Sequence, residues 1–399
     1  MNRQLILGVL GTRPEAVKLS PVLLEFAKRR DAIRTVTVSS GQHAHLISPF
    51  TEFFGVHIDH DLCIVGPNQD YATLLRRIVW SLASVIRREN PDLILVQGDT
   101  TTALAGAIAG QQCRVPVAHI EAGLRSGDLR SPYPEEIHRI SITQIASFHF
   151  AATDSNRDVL LREGVLHSAI EVTGNPIVDA LKFVLARQKK GVGQTANGSI
   201  APKRIVLTTH RRESFGTTLE SNLRTIRYFI EDHADTELLF PVHPNPNIKV
   251  PAYRILGNHP RITLTPPLPY TDFITLLSNC WLVISDSGGV QEEVPSLGKP
   301  LLILRDNTER QECIEAGVAR LVGSGPGRLR NMLDEAHESD SWVSRVHEIP
   351  NPFGDGHSAE RIASRCISLL SQGADYRSFA ARIKFPGCTH APAALQHPL

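Results

Sequence analysis

Short β-branched apolar runs alternate with amphipathic helical patterns along almost the whole chain, and this alternation narrows the fold more than any other feature. Strands separated by a helix each time cannot be joined as hairpins. They must lie parallel, with helices covering both faces of the sheet. In the first half the strand candidates are Leu5–Leu10, Thr35–Ser39, Leu93–Val96, Val115–Ile120 and Phe148–Ala151. Helical patterns begin near Pro14, His43, Tyr71, Thr102 and Pro134, and the two prolines suit a first helical turn, where a missing N–H costs nothing. A polar, Gly-rich stretch from Lys189 to Gly198 reads as a loop. After it come Arg204–Thr208, Glu237–Pro241, Arg261–Leu264, Leu282–Ser285 and Pro300–Leu304.

The expected fold class is therefore α/β, with two Rossmann-like doubly wound domains facing a cleft. A length of 399 residues agrees, being long for one hydrophobic core. The boundaries read as 1–172 and 173–356, with a helical pattern in 357–371 (Ala359–Leu370) returning to the first domain. Residues 372–399, rich in Ala, Pro and Gly without periodicity, read as a disordered tail.

Forty-two Lys and Arg against 41 Asp and Glu leave a formal charge of +1, so nothing electrostatic favours nucleic acid or an anionic membrane as partner. The six cysteines are scattered without a C-x-x-C pair or metal-ligand spacing, which predicts reduced thiols, a cytoplasmic setting and no metal. Leu5–Leu10 is too short for a signal peptide, with Arg13, Glu15 and Lys18 close behind, and reads as the first buried strand. No apolar stretch approaches the roughly 18 residues of a membrane span.

Ligands of open parallel sheets bind beyond the carboxyl ends of the strands. Gly11-Thr-Arg13, Gln97-Gly-Asp-Thr100, Glu121-Ala-Gly-Leu-Arg125, His210-Arg-Arg-Glu213 and His243 all fall there. So does Ser285-Asp-Ser-Gly-Gly-Val-Gln-Glu-Glu293, between a strand and a helix. A first helical turn offers free N–H groups to an anion, and Gly288 and Gly289 let a ligand approach the backbone. Glu292 and Glu293 stand where they could meet ligand hydroxyls such as those of a ribose. The combination suggests a nucleotide diphosphate carrying a sugar; a plain helix cap with surface glutamates explains the same residues.

Asp99, Glu121, Glu135 and Glu136 are the carboxylates placed at the cleft. Glu135 and Glu136 would also serve a helix dipole, and Asp99 would also serve as a cap, whereas Glu121 after a buried strand needs a partner. His210 suits hydrogen bonding or proton transfer to a diphosphate, and Arg13, Lys18 and Arg310 suit its charge. Gly8 and Gly11 do not complete G-x-G-x-x-G, so no nicotinamide cofactor is expected, and neither a P-loop nor H-E-x-x-H is present.

Taken together, Gly11-Thr-Arg-Pro-Glu-Ala-Val-Lys18, Gly98-Asp-Thr-Thr-Thr102, His119-Ile-Glu-Ala-Gly-Leu-Arg125, Pro132-Tyr-Pro-Glu-Glu136, His210-Arg-Arg-Glu-Ser-Phe-Gly216, Pro241-Val-His-Pro-Asn-Pro246, Ser285–Glu293 and Thr308-Glu-Arg310 resemble the motifs of the non-hydrolysing UDP-N-acetylglucosamine 2-epimerases. The resemblance runs in order over about residues 4 to 370. It implies the glycosyltransferase-B arrangement, a homodimer in the cytoplasm, and interconversion of UDP-N-acetylglucosamine with UDP-N-acetylmannosamine for bacterial surface polysaccharides. It implies Asp99, Glu121 and Glu135 as catalytic carboxylates, with His210 as acid or phosphate ligand. Arg13, Lys18, Arg139, Ser287, Gly288, Gly289, Glu293 and Arg310 would bind UDP and sugar. Gln42, His43, Arg77, Arg211 and His243 would hold a second UDP-N-acetylglucosamine as activator. His138 replaces the family's usual Asn, Gln311 its usual Pro, and Ala44-His45 its usual Arg-Glu or Arg-Gln.

The implied chemistry is consistent with the residues. The C2 proton of the sugar is not adjacent to a carbonyl, so it leaves only if a neighbouring carbon is oxidised by NAD or if UDP departs from C1. With no NAD fingerprint and a diphosphate cradle, elimination to 2-acetamidoglucal and re-addition of UDP fits, without cofactor or metal. A sugar transferase of the same fold and a non-catalytic nucleotide-sugar sensor are the competing readings. Neither needs several carboxylates around C2.

Overall fold

The structure, a computed structural model, describes residues 3–41, 44–64, 70–188, 202–211, 215–323, 325 and 327–371, with backbone only at 44–46 and 188. Gln42, His43, the loop from Lys189 to Gly198 and the tail 372–399 lie outside the described residues.

Among the described residues seven strands form the first sheet: β1 (Gln4–Leu10), β2 (Ile33–Ser39), β3 (His60–Asp61), β4 (Leu93–Gln97), β5 (Val117–Ala122), β6 (Phe148–Ala151) and β7 (Ile170–Val172). Six form the second: β8 (Lys203–Thr208), β9 (Thr236–Pro241), β10 (Ile262–Thr265), β11 (Leu282–Ser285), β12 (Leu301–Ile303) and β13 (Ala319–Leu321). All pairings are parallel, in the orders β3-β2-β1-β4-β5-β6-β7 and β10-β9-β8-β11-β12-β13. The expected pair of Rossmann-like units is what the chain forms. Each sheet has its topological switch beside the first strand of its series, between β1 and β4 and between β8 and β11.

Burial on both faces follows from alternation along each strand. Leu5, Leu7 and Val9 of β1 pack with Ile78, Leu82 and Ile86 on one face. Ile6 and Leu10 pack on the other with Leu19, Val22 and Phe26 of the helix Arg13–Ala27. That second face also receives Ile362, Ala363, Cys366 and Leu369 of the final helix, Ser358–Ser371. On the second sheet, Val206, Val283 and Ile303 share a cluster with Ile177, Leu181 and Val184 of the helix Pro176–Gln188 and with Val17 and Phe54. This cluster joins the two halves.

The chain crosses between the sheets twice, and the crossings touch. Asn175 N donates to Phe353 O at 2.8 Å, and Ser358 Oγ donates to Gly174 O at 2.8 Å. Asp179 caps the returning helix by accepting from Ser358 N and Ala359 N.

Three strands were not foreseen: β3, β7 and β13. Each is an edge strand of two or three residues, too short to show a period. Pro14 lies inside its helix as expected, but Pro134 is the N-cap of Glu135–Ile145 rather than part of its first turn. Strand β5 also runs on through Glu121, where the reading from sequence stopped at Ile120. Among the described residues no helix is long and apolar enough to cross a membrane.

Ile362 has no exposed surface, so Ile362→Ala leaves a cavity against the first sheet and lowers unfolding free energy by about 2–5 kcal/mol. Urea denaturation measures this, with Glu360→Ala on the outer face of the same helix changing it by about 0.5 kcal/mol or less.

Candidate active site

The carboxyl ends of the two sheets enclose a cavity of about 240 Å³. Arg13, Lys18, Asp99, Glu121, Glu135, Arg139, His210, Ser287, Gly288, Gly289, Glu293 and Arg310 all line it, together with Arg211. Residues scattered over some three hundred positions are thus brought to one place by the two switch points.

Glu121 is aimed by an irregularity in the sheet. The pairing of β5 with β6 shifts register between Ile120 and Ala122, and Glu121 adopts φ +67°, a left-handed conformation costly for a non-glycine residue. Its Oε1 lies 2.7 Å from Lys18 Nζ, and Gln97 Nε2 donates to its Oε2. Asn175 Nδ2 approaches the same Oε1 at 3.4 Å, tying Glu121 to the first crossing. Burial first, and then the charge of Glu292, push the Glu121 carboxyl up; Lys18 and Arg310 oppose them.

Glu292 comes from the opposite side. Its Oε2 is 2.6 Å from Lys18 Nζ and its Oε1 accepts from Arg310 Nε at 2.6 Å, so it is fully engaged by cations rather than free for a ligand hydroxyl. Despite its burial, Arg310 and then Lys18 hold its carboxyl well below the usual range. Lys18 is likewise raised, because Glu121 and Glu292 outweigh the cost of its burial. Arg310 also pairs with Glu309, which accepts from Arg305 Nη1 at 2.9 Å and stands 3.8 Å from Arg139 and 3.9 Å from Arg211. An added Cβ on Gly288 would sit 2.8 Å from Arg310 Nη1, so only glycine lets that guanidinium lie over the turn.

Asp99 is presented by Gly98, whose φ of +72° makes the turn after β4. Arg139 holds Asp99 Oδ2 through Nε at 2.9 Å and Nη2 at 2.6 Å. Beneath it, His138 Nδ1 lies 2.6 Å from Asp99 O and must carry the hydrogen, while Nε2 meets Tyr71 Oη at 2.8 Å. Glu135 lines the cavity with a buried Oε2 that has no hydrogen-bond partner among the described residues. Glu293 is buried between Tyr270 and Arg13, and burial pushes its carboxyl up to about 7 against the pull of Arg13. His210 Nδ1 is 3.2 Å from Asp286, whose buried carboxylate also accepts from the backbone N–H groups of His210 and Arg211 and from Thr209 Oγ1. His119, donating from Nε2 to Gly98 O at 2.8 Å, is pushed down to about 4 by burial and stays neutral.

Some expectations need correcting. Glu136 turns away from the cleft: it accepts from Ser126 N and Gly127 N and pairs with Arg139 at 2.8 Å, pinning a loop. Side chains one apart on a helix point about 100° apart, and here that separation sends Glu135 into the cavity and Glu136 to the loop. Arg77, expected at an activator site rather than in this cavity, is exposed on the helix Tyr71–Glu89, and the ring of His243, expected at the same site, lies 6.2 Å from that of His210. Glu15 was missed as a site residue. It is fully buried, accepts from Gly11 N at 2.9 Å, Thr12 N at 2.6 Å and Thr100 Oγ1 at 2.6 Å, and so locks the turn after β1 to the one after β4. Its place in a capping box three residues after Thr12 was the available signal.

The sequence profile of the UDP-N-acetylglucosamine 2-epimerase family matches residues 26–366. The chain belongs to the UDP-N-acetylglucosamine 2-epimerase family. The enzyme of that name from Escherichia coli K12 is 41% identical over 364 residues, covering 90% of this chain and 96% of its own. That from Bacillus subtilis 168 is 36% identical over 368 residues, covering 92% and 96%. Among solved structures, the Neisseria meningitidis UDP-GlcNAc 2-epimerase bound to UDP-GlcNAc matches at TM-score 0.86 and 34% identity, over 92% of this chain and all of that one (100%). The Methanocaldococcus jannaschii epimerase in complex with UDP-GlcNAc and UDP matches at TM-score 0.78 and 32% identity, over 93% and 100%. A glycotransferase of kitacinnamycin, 11% identical at TM-score 0.59, shares the fold alone.

Glu15 supplies a pH test of this geometry. Burial raises its carboxyl from 4.5 to about 7, so the folded protein binds that proton more tightly than the unfolded chain. Its contribution to stability is therefore full below about 4.5 and is lost as pH rises through about 7. Glu15→Gln cannot ionise and should flatten the fall in melting temperature across that interval; an unchanged slope would contradict the assignment.

Proposed function

We propose that this chain catalyses the reversible C2 epimerisation of UDP-N-acetylglucosamine to UDP-N-acetylmannosamine, by elimination of UDP to 2-acetamidoglucal and re-addition. One observation carries the reading: Asp99, Glu121 and Glu135 of the first half converge on a cavity that Lys18 and Arg139 of the same half and Arg310 of the second also line. Carboxylates that line a cavity beside a cluster of cations suit a reaction in which a proton and an anionic leaving group part from adjacent carbons. The UDP-GlcNAc and UDP held by the related structures lend weight to this substrate.

In this mechanism one carboxylate takes the C2 proton while UDP leaves C1, and another delivers a proton to the opposite face on return. Two faces of one carbon require groups on two sides, which accounts for more than one acid. Arg13, Lys18, Arg139, Ser287, Gly288, Gly289, Glu293 and Arg310 bind the UDP-sugar, with the guanidinium of Arg310 taking charge that develops on the diphosphate. His210, oriented by Asp286, donates to the departing phosphate. Glu135, with an unpartnered oxygen, is the carboxylate most in need of a ligand. A sugar transferase on this scaffold has no use for three acids around one sugar carbon.

The rest of the reading follows the family. Residues 1–172 with 357–371 and residues 173–356 are two domains that close on the nucleotide sugar, in a cytoplasmic homodimer supplying bacterial polysaccharide synthesis. A second UDP-N-acetylglucosamine acts as activator through Gln42, His43, Arg77, Arg211 and His243.

Incubation with UDP-N-acetylglucosamine alone should yield UDP-N-acetylmannosamine; no such product from folded protein would defeat the proposal. Asp99→Asn and Glu121→Gln should each lower turnover by about 100-fold or more while UDP affinity in calorimetry changes little. Wild-type turnover in both variants would remove these carboxylates from the mechanism.

A further inference from the structure

The buried charges at the centre of the cleft belong half to each sheet. Glu121 stands in β5, Glu292 in the short helix after β11, and one ammonium, Lys18 Nζ, lies 2.7 Å from the first and 2.6 Å from the second. The side chains of Glu121 and Lys18 are 6% exposed and that of Glu292 1%. Out of water, one ammonium cannot satisfy two ionised carboxylates. The tie is broken by Arg310, whose Nε and Nη2 both lie 2.6 Å from Glu292 Oε1. Among the described residues no arginine hydrogen-bonds to Glu121, on which Arg310 acts only through its charge; Gln97 and Asn175 offer it neutral amides, and Glu292 itself shares a hydrogen bond with it. The charge therefore settles on Glu292 and the proton on Glu121.

Burial is the larger cause of the rise at Glu121, and the like charge of Glu292 adds to it from the second sheet. Within the first half the charged group paired with Glu121 is Lys18, and an ammonium favours the ionised form. We propose that Glu292 is a positioning residue of the epimerisation: reaching across the cleft, it holds a proton on Glu121, so that Glu121 becomes a proton donor only when the two halves are closed. The inference rests on the epimerase reading for what Glu121 does, but the proton itself is a property of the protein. Closing takes up a proton at Glu121, and opening releases it. Burial and the charge of Glu292 both raise the Glu121 carboxyl, while Arg310 and Lys18 keep Glu292 ionised.

The test is a matched set of charge changes. Glu292→Gln removes the like charge and should move one limb of the pH–kcat profile to lower pH by about one unit. Lys18→Met removes the opposing charge and should move the same limb to higher pH by a similar amount. Glu292→Asp keeps the charge and should leave the limb near its wild-type position. A residue that merely packs would lower kcat or raise KM without moving the limb, so unmoved limbs in both Glu292→Gln and Lys18→Met overturn the proposal. UDP binding is then followed by calorimetry in two buffers of different ionisation enthalpy, which reads proton uptake without catalysis. Wild type should take up more protons per UDP than either Glu292→Gln or Glu121→Gln, the contribution of UDP itself cancelling in the difference. Equal uptake in all three also overturns it. A wild-type protein that makes no UDP-N-acetylmannosamine but shows this difference would sink the epimerase reading and leave the shared proton standing.

Discussion

The Lys18 ammonium, gripped at once by Glu121 of the first sheet and Glu292 of the second, is the contact on which the site depends. Ionic groups this deeply buried lose several kcal/mol of hydration each, and removing one partner leaves the others uncompensated. The network is complete only because Arg310 and Glu309 extend it from one side and Asn175 and Gln97 satisfy it from the other. Hydrophobic burial holds the halves together around Val17, Ile177 and Val290, but it is indifferent to where a carboxylate points. The charges supply that direction.

Two Rossmann-like sheets suit this task because their switch points face each other. The segments after β1 and β4 supply Glu15, Lys18 and Asp99, with Glu15 joined to Thr100, and those after β8 and β11 supply His210, Asp286 and Glu292, with His210 joined to Asp286. The Gly98 turn, the bulge at Glu121 and the Gly288 contact with Arg310 are departures from regular structure, and all three occur at this edge. Strain gathers where function needs side chains re-aimed, and the regular sheet beneath holds it in place.

Much of this was legible in the sequence. Central strands such as β1 and β11 show themselves as apolar runs because they are buried on both faces, whereas β3, β7 and β13 pair on one side only and are too short to carry a pattern. The cavity-lining acids Asp99, Glu121 and Glu135 could be placed at the cleft because they follow the carboxyl ends of buried strands, but a cap explains Asp99 and a helix dipole Glu135 just as well, and it was the motif resemblance that set them apart. Orientation was harder. Glu136 and Glu135 are neighbours in sequence, yet one pins a loop and the other faces the cavity. Glu292 and Glu293 divide likewise, the first to Lys18 and Arg310, the second beside Tyr270 and Arg13. Asp286 acts by organising the backbone N–H groups of His210 and Arg211, partners set by tertiary contact that no spacing reveals, whereas the capping-box spacing of Glu15 after Thr12 was there to be read.

The central claim is that a proton at C2 of the sugar is exchanged in this cleft while UDP departs. Epimerisation in heavy water, with the recovered UDP-sugars read by proton NMR, tests it most directly. Elimination and re-addition predict deuterium at C2 of the UDP-N-acetylmannosamine, accompanied by slow release of free UDP and 2-acetamidoglucal. A mannosamine product that keeps its original C2 hydrogen would contradict both the elimination and the roles given to Asp99, Glu121 and Glu135.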